Sequence, residues 1–152
     1  METLGPEALK KNPVFQDLDP EQLKKIIGFS ERQTYEAGSF VFSQDKEARQ
    51  FFVLEKGLVG IIIQIRPGTQ LTIATESKGG LFGWSALVPP HRYTASAKCL
   101  EQSQLLAFEG AKLREFCYLE PDIGIRIMEG LARLIALRLQ STNLQVLDAM
   151  WK

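Results

Sequence analysis

A chain of 152 residues, 45% of them apolar and 24% charged, is long enough to bury a core and too apolar to remain disordered. Its 18 basic and 18 acidic residues cancel, which removes the overall positive field of a chain that holds nucleic acid or anionic membrane by charge alone. No apolar run approaches the ~18 residues that a bilayer demands, and the opening METLGPEALKKNPVF lacks the pattern of a secretory leader, so a cytoplasmic protein is expected.

Residues 6 to 29 read as short helices. Pro6 suits a first helical position, and Leu9, Val14 and Phe15 offer an apolar side that Pro13 interrupts. Asp19 ahead of Pro20 and Glu21 is an N-cap and first-turn signal, after which Leu23, Ile26 and Ile27 recur at helical spacing up to Gly28. From Gln33 the pattern alternates. Tyr35 to Phe42 holds a turn glycine and then strand formers, with Phe40 and Phe42 expected on one face. Beyond the polar loop Ser43 to Gln50, the runs Phe51 to Gly57 and Leu58 to Ile63 read as a hairpin about a glycine turn. Arg66-Pro67-Gly68 is a second turn signal, and Leu71 and Ile73 alternate with Thr72 and Ala74 in a further strand. Short strands at regular spacing between glycine turns predict a mainly β fold, an antiparallel barrel or jelly roll with flanking helices.

The stretch Gly79 to Ala97, GGLFGWSALVPPHRYTASA, stands apart. Small residues let a backbone pass close to a bound group, and a helical turn from Trp84 to Val88 after Gly83 would aim free N–H groups at an anion. The stretch is a candidate phosphate cradle, although the same glycines serve equally as turn residues. Ala95 to Leu100 and Gln104 to Phe108 read as the last strands, and Lys112 to Tyr118 as a short helix with Leu113 and Phe116 inward. Glu120-Pro121-Asp122 opens a long helix running toward Lys152.

That helix has two apolar stripes. Ile127, Leu131 and Leu134 suit packing within the chain. Met128, Ala132, Ile135, Leu139, Thr142, Val146 and Ala149 are spaced alternately by four and three, the seam of a paired helix. One amphipathic helix needs only one stripe, so the second predicts a parallel homodimer, with plain intramolecular packing as the alternative. Cys99 and Cys117 have no metal-ligand spacing and read as reduced thiols. The only histidine, His91, has no ligand cluster around it, so neither metal nor haem is expected. Ser85 and His91 lack an acid partner, so no catalytic residue is assigned and no enzyme is expected.

Phe82, Gly83, Ala86 and Leu87, with Thr94 and Ala97 downstream, resemble the phosphate-binding cassette of the cyclic nucleotide-binding domain family. The family pattern is phenylalanine, glycine, glutamate, any residue, alanine or glycine, leucine, a variable loop, then Arg-x-Ala-Thr/Ser-Val. The stretches 35–42 and 51–63 resemble the family's barrel opening and hairpin. The resemblance runs from about Phe15 to the end of the long helix and implies a single domain over 1–152. Its parts would be a helical lead-in (1–32), a β-barrel (33–110) with the cassette at 79–97, and C-terminal helices (111–152), the last for dimerisation.

The ligand-binding residues so implied are Gly83, Trp84, Ser85, Ala86, His91, Arg92, Tyr93 and Thr94, with Ser141 and Thr142 reaching a bound base from the long helix. Trp84 stands where the family carries the glutamate that holds a ribose hydroxyl. An indole cannot accept that bond, so it either stacks on a planar ligand or fills the ribose place. Counting back from Thr94 and Ala97 puts His91 at the phosphate-binding arginine, with Arg92 one place later. The resemblance implies a non-enzymatic regulatory domain that senses a cyclic nucleotide or other small anionic ligand, needs no further cofactor, and acts on a separate output protein. The alternative is a ligand-free dimerisation or protein-interaction module. Family members that bind DNA carry a helix-turn-helix after the long helix; none follows here, so neither DNA nor membrane is an expected partner.

Overall fold

The computed structural model describes residues 5–150. Two short helices come first, α1 (Pro6–Leu9) and α2 (Pro20–Ile27). A reciprocal capping box fixes the start of α2: the Asp19 side chain accepts from the Gln22 backbone at 2.8 Å, and the Gln22 side chain accepts from the Asp19 backbone at 3.0 Å. Eight strands follow: β1 (Ser30–Tyr35), β2 (Phe40–Phe42), β3 (Gln50–Lys56), β4 (Val59–Arg66), β5 (Thr69–Glu76), β6 (Leu81–Phe82), β7 (Ser96–Cys99) and β8 (Ser103–Glu109). Two helices complete the order, α3 (Gly110–Leu119) and α4 (Pro121–Met150). The expected end of the last helix at Lys152 lies outside the described residues.

The strands form two four-stranded antiparallel sheets, ordered β1-β8-β3-β6 and β2-β7-β4-β5. This is the jelly-roll form of the expected fold, its two sheets facing each other. The sheets explain why β3 and β8 are apolar at nearly every position. Strand side chains alternate between faces, and both faces of the first sheet are covered. Phe51, Val53, Leu106 and Phe108 pack toward the helices with Leu9, Phe15, Leu23, Leu113 and Ile127. Phe52, Leu54, Leu105 and Ala107 pack toward the second sheet with Val59, Ile61, Ala97 and Cys99.

Two expectations are corrected by this topology. The runs at 51–63 are strands, but not a hairpin: β3 pairs with β6 and β8, whereas β4 pairs with β5 and β7. Gly57, at φ 112°, turns the chain across from one sheet to the other. The true hairpin is β4–β5, closed at Pro67-Gly68 with Arg66 opposite Thr69. Phe40 and Phe42 do not share a face either. The register against β7 slips between them, so Phe40 is 49% exposed while Phe42 packs against the inter-sheet core.

Helix α4 lies along the molecule with Ile123, Ile127 and Leu131 buried, as the first stripe requires. The second stripe divides. Met128 and Ile135 pack partly against the same chain's core, and Thr142 is half-buried, whereas Ala132, Leu139, Val146 and Ala149 are exposed. No helix among the described residues is long and apolar enough to cross a membrane.

Candidate functional site

Strand β6 delivers the chain to Gly83, whose φ of 80° lies in the left-handed region. A Cβ there would stand 3.1 Å from the Phe42 ring and 3.3 Å from the Gln50 carbonyl oxygen, so conformation and space both require glycine. A single 3₁₀ turn, Trp84–Ala86, follows. Between this turn and the second sheet lies a cavity of about 90 Å³ lined by Phe42, Ile61, Ile73, Phe82, Gly83, Trp84, Ser85, Tyr93, Thr94, Ala95 and Arg138.

Tyr93 is the main polar side chain of the inner wall. Its ring stacks on Phe42 at 3.8 Å between centroids, and its hydroxyl donates to the Gln50 carbonyl at 2.7 Å. Burial pushes its pKa up to about 12, so it is a neutral phenol whose proton is already engaged.

The outer wall comes from α4. The Arg138 guanidinium lies 5.1 Å from the Trp84 ring centroid, a cation–π distance, and pairs with the Glu76 carboxylate at the end of β5. Only 17% of the Arg138 side chain and 13% of that of Glu76 are exposed. Desolvation raises the Glu76 carboxyl above its ordinary range, outweighing the opposite pull of Arg138. Gln145 adds a hydrogen bond from its side chain to the Ile73 carbonyl at 2.9 Å, so α4 is fastened to β5 on both sides of Thr142.

Of the residues expected in the site, the structure brings Gly83, Trp84, Ser85, Tyr93 and Thr94 to one cavity. Ala86 is fully buried beneath Gly110 rather than facing it. Ser141 is exposed and Thr142 half-buried, and neither lines the cavity.

His91 and Arg92 are elsewhere. Arg92 is directed outward, where its guanidinium donates to the Asp45 carbonyl at 2.5 Å. His91 sits beyond the 3₁₀ turn, with Nδ1 3.0 Å from the Ser85 carbonyl oxygen. The register explains this: Ala95-Ser96-Ala97 fills the Ala-Thr/Ser-Val end of the pattern, which puts Tyr93, not His91, at the arginine place. Successive residues of an extended segment point to opposite sides, so an inward Tyr93 directs Arg92 away. Arg138 was not foreseen. It continues the inward series Ile127, Leu131, Leu134 at helical spacing, and a cation in an otherwise apolar stripe was the available signal.

Among the described residues no three metal-ligating side chains converge. The geometry is that of a small, partly open cavity, with mostly apolar walls, a close-lying backbone at Gly83, and a guanidinium supplied by a helix outside the sheets.

Residues 32–118 match the cyclic nucleotide-binding domain family. The cyclic AMP receptor protein of Thermus thermophilus is 26% identical over 138 residues, which is 91% of this chain; this chain spans 62% of the length of that relative. The crystal structure of the Thermus thermophilus catabolite activator protein superposes with a TM-score of 0.77 at 27% identity, over 91% of this chain and 62% of that one. A cyclic nucleotide-binding domain from Methylobacillus flagellatus shares the fold with a TM-score of 0.83 at 16% identity, over 95% of this chain and 81% of that one. With more than half of its length matched by the family and its fold shared with these structures, the chain belongs to the cyclic nucleotide-binding domain family.

Proposed function

We propose that this chain is a regulatory binding domain, without catalytic activity, whose cassette admits a small anionic guest of the cyclic nucleotide kind and reports it through α4. Arg138 carries the reading: it belongs to α4, yet it forms a wall of the cassette cavity while pairing with Glu76. An anionic guest competes with Glu76 for the guanidinium, and loss of that pair loosens α4 from β5. The cavity of about 90 Å³ is smaller than the ~300 Å³ at which ligand pockets begin, so entry requires Trp84 or Arg138 to swing aside. Trp84 and Tyr93 replace two charged partners of the usual ligand, each worth about 1.5–3 kcal/mol, which makes cyclic AMP a weak guest and favours another planar anion. The moved helix then presents an altered surface to a second copy of the chain and to a separate output protein.

The test is a thermal-shift screen of cyclic AMP, cyclic GMP, cyclic dinucleotides and linear nucleotides against the wild type and Arg138→Ala. A guest at one hundred times its dissociation constant adds about 2.7 kcal/mol to wild-type stability. The shift is expected to shrink in the variant; an undiminished shift removes Arg138 from the role.

A second reading, a ligand-free dimerisation module, is favoured by one observation: the cavity lined by Trp84 and Arg138 holds only about 90 Å³. It is the reading left standing if no compound shifts the wild type while light scattering still reports a dimer.

A further inference from the structure

A larger hollow lies on the other side of the cassette, between the loop after the 3₁₀ turn, α3 and the first turns of α4, with a volume of about 620 Å³. That is within the ~300–1,000 Å³ range of small-molecule sites. Leu87 and Pro89 of the loop and Ile125 and Met128 of α4 give it apolar walls. The Cys117 thiol, pushed up by burial, adds an uncharged surface.

Into this apolar lining the structure sets one half-buried cation, Arg114. Its Nη1 donates to the Ala86 carbonyl and lies 3.4 Å from His91 Nδ1. The imidazole does not complete the arginine's set. His91 Nδ1 is closer to the Ser85 carbonyl, at 3.0 Å, and one ring nitrogen could in any case take up only one of the arginine's donors. A guanidinium has five N–H donors, and among the described residues no carboxylate pairs with this one. Arg138, the other half-buried arginine among the described residues, by contrast meets a carboxylate. A half-buried cation in an apolar lining, with donors unmatched, is the complement of a guest that is itself mostly apolar and carries one planar anion.

We infer that this groove is a second binding site, separate from the cassette cavity, for an amphiphilic monocarboxylate whose hydrocarbon lies on Leu87, Pro89, Ile125 and Met128 and whose carboxylate meets Arg114. The inference is independent of what the cassette cavity holds.

The sequence has three methionines, so methyl-¹³C-methionine spectra of the full chain give a simple readout, with Met128 assigned by Met128→Leu. Decanoate is expected to shift the Met128 methyl saturably. Arg114→Gln should weaken decanoate at least about tenfold while leaving decanol, which lacks the charge, unchanged. Ile125→Glu, at a site 58% exposed and so tolerant of substitution, places a repelling carboxylate in the groove and should abolish decanoate binding even if Arg114→Gln disturbs the Ala86 contact. Three outcomes overturn the inference: no saturable Met128 shift with decanoate, equal decanoate affinity in wild type and Ile125→Glu, or a Met128 signal that moves with protein concentration instead of decanoate, which would give the groove to a second copy of the chain.

Discussion

On the proposed reading, Tyr93 and Trp84 decide what the cassette can hold. The place that offers a permanent cation in the family pattern offers here a neutral phenol bonded to the Gln50 carbonyl, and the place of a carboxylate offers an indole. Restoring both groups in Trp84→Glu/Tyr93→Arg should raise the affinity for cyclic AMP by at least about tenfold, read by calorimetry, because each restored charged hydrogen bond is worth about 1.5–3 kcal/mol and some packing on Phe42 is lost. An unchanged affinity would mean that the closing of the cavity, not its polar groups, sets the limit. Gly83 is the second decisive residue. Gly83→Ala must hold a left-handed φ of 80° and crowd Phe42 and the Gln50 carbonyl, and should lower stability by about 2 kcal/mol in urea denaturation. This glycine was legible in the sequence because its demand is local. Tyr93 was rightly expected in the site; the arginine place given to His91 was not, because the count back from Thr94 and Ala97 was two places off, and in the structure Tyr93 pairs with the Lys46 backbone and lines the cavity.

At the scale of elements, helix α4 is bonded to β5 through Arg138 and Gln145, the contacts on which the proposed coupling rests. Its pairing with β5 places the Glu76 carboxyl where desolvation raises its pKa above the ordinary 4.5 despite Arg138. The folded chain then binds that proton more tightly than the unfolded chain does. The stabilising contribution of Glu76 is complete below the ordinary value and is lost as pH rises through the elevated one. Urea midpoints of the wild type relative to Glu76→Gln should therefore fall as pH rises past the ordinary carboxyl range; a difference that grows with pH would mean that the ion pair outweighs desolvation.

The exposed stripe of the same helix is where the proposed dimer seam would lie. Leu139 is 60% exposed whereas Ile135 packs partly inward, so Leu139→Glu is the cleaner probe of a dimer seam. It should yield a monomer by light scattering with little loss of stability, and a variant that stays dimeric places the contact elsewhere. Strands and helices of this chain were readable one by one because alternation and helical spacing are local. Their partners were not. Nothing within residues 51–63 distinguishes a hairpin from two strands crossing between sheets, since β3 is apolar on both faces either way, and the slip that turns Phe40 outward is imposed by β7, more than fifty residues on.

The whole molecule is held by a segment that has no regular structure of its own. Residues 12 to 14 lie between the head of the cassette and the middle of α4. Buried Asn12 donates to the Gly79 carbonyl at 3.1 Å and accepts from the Val14 backbone at 3.0 Å, tying the segment to the start of the cassette. On its other side Gly130 packs so closely that a Cβ would stand 2.5 Å from the Pro13 carbonyl oxygen and 2.7 Å from the Val14 Cα. Two opposite effects therefore meet in Gly130→Ala. Alanine favours the helix over glycine by about 1 kcal/mol, but its methyl would overlap backbone that cannot rotate away, a cost of about 1–3 kcal/mol or more. Contact at such distances should win, with a net loss of about 1–2 kcal/mol in urea denaturation; a gain would mean that α4 does not press on this segment. Asn12→Ala breaks the other side of the wedge. If one wedge joins the cassette to α4, the two losses should not add, and the double variant should fall short of their sum by at least about 0.5 kcal/mol. Strict additivity would make the two contacts independent, and α4 would then sense the cassette through Arg138 alone.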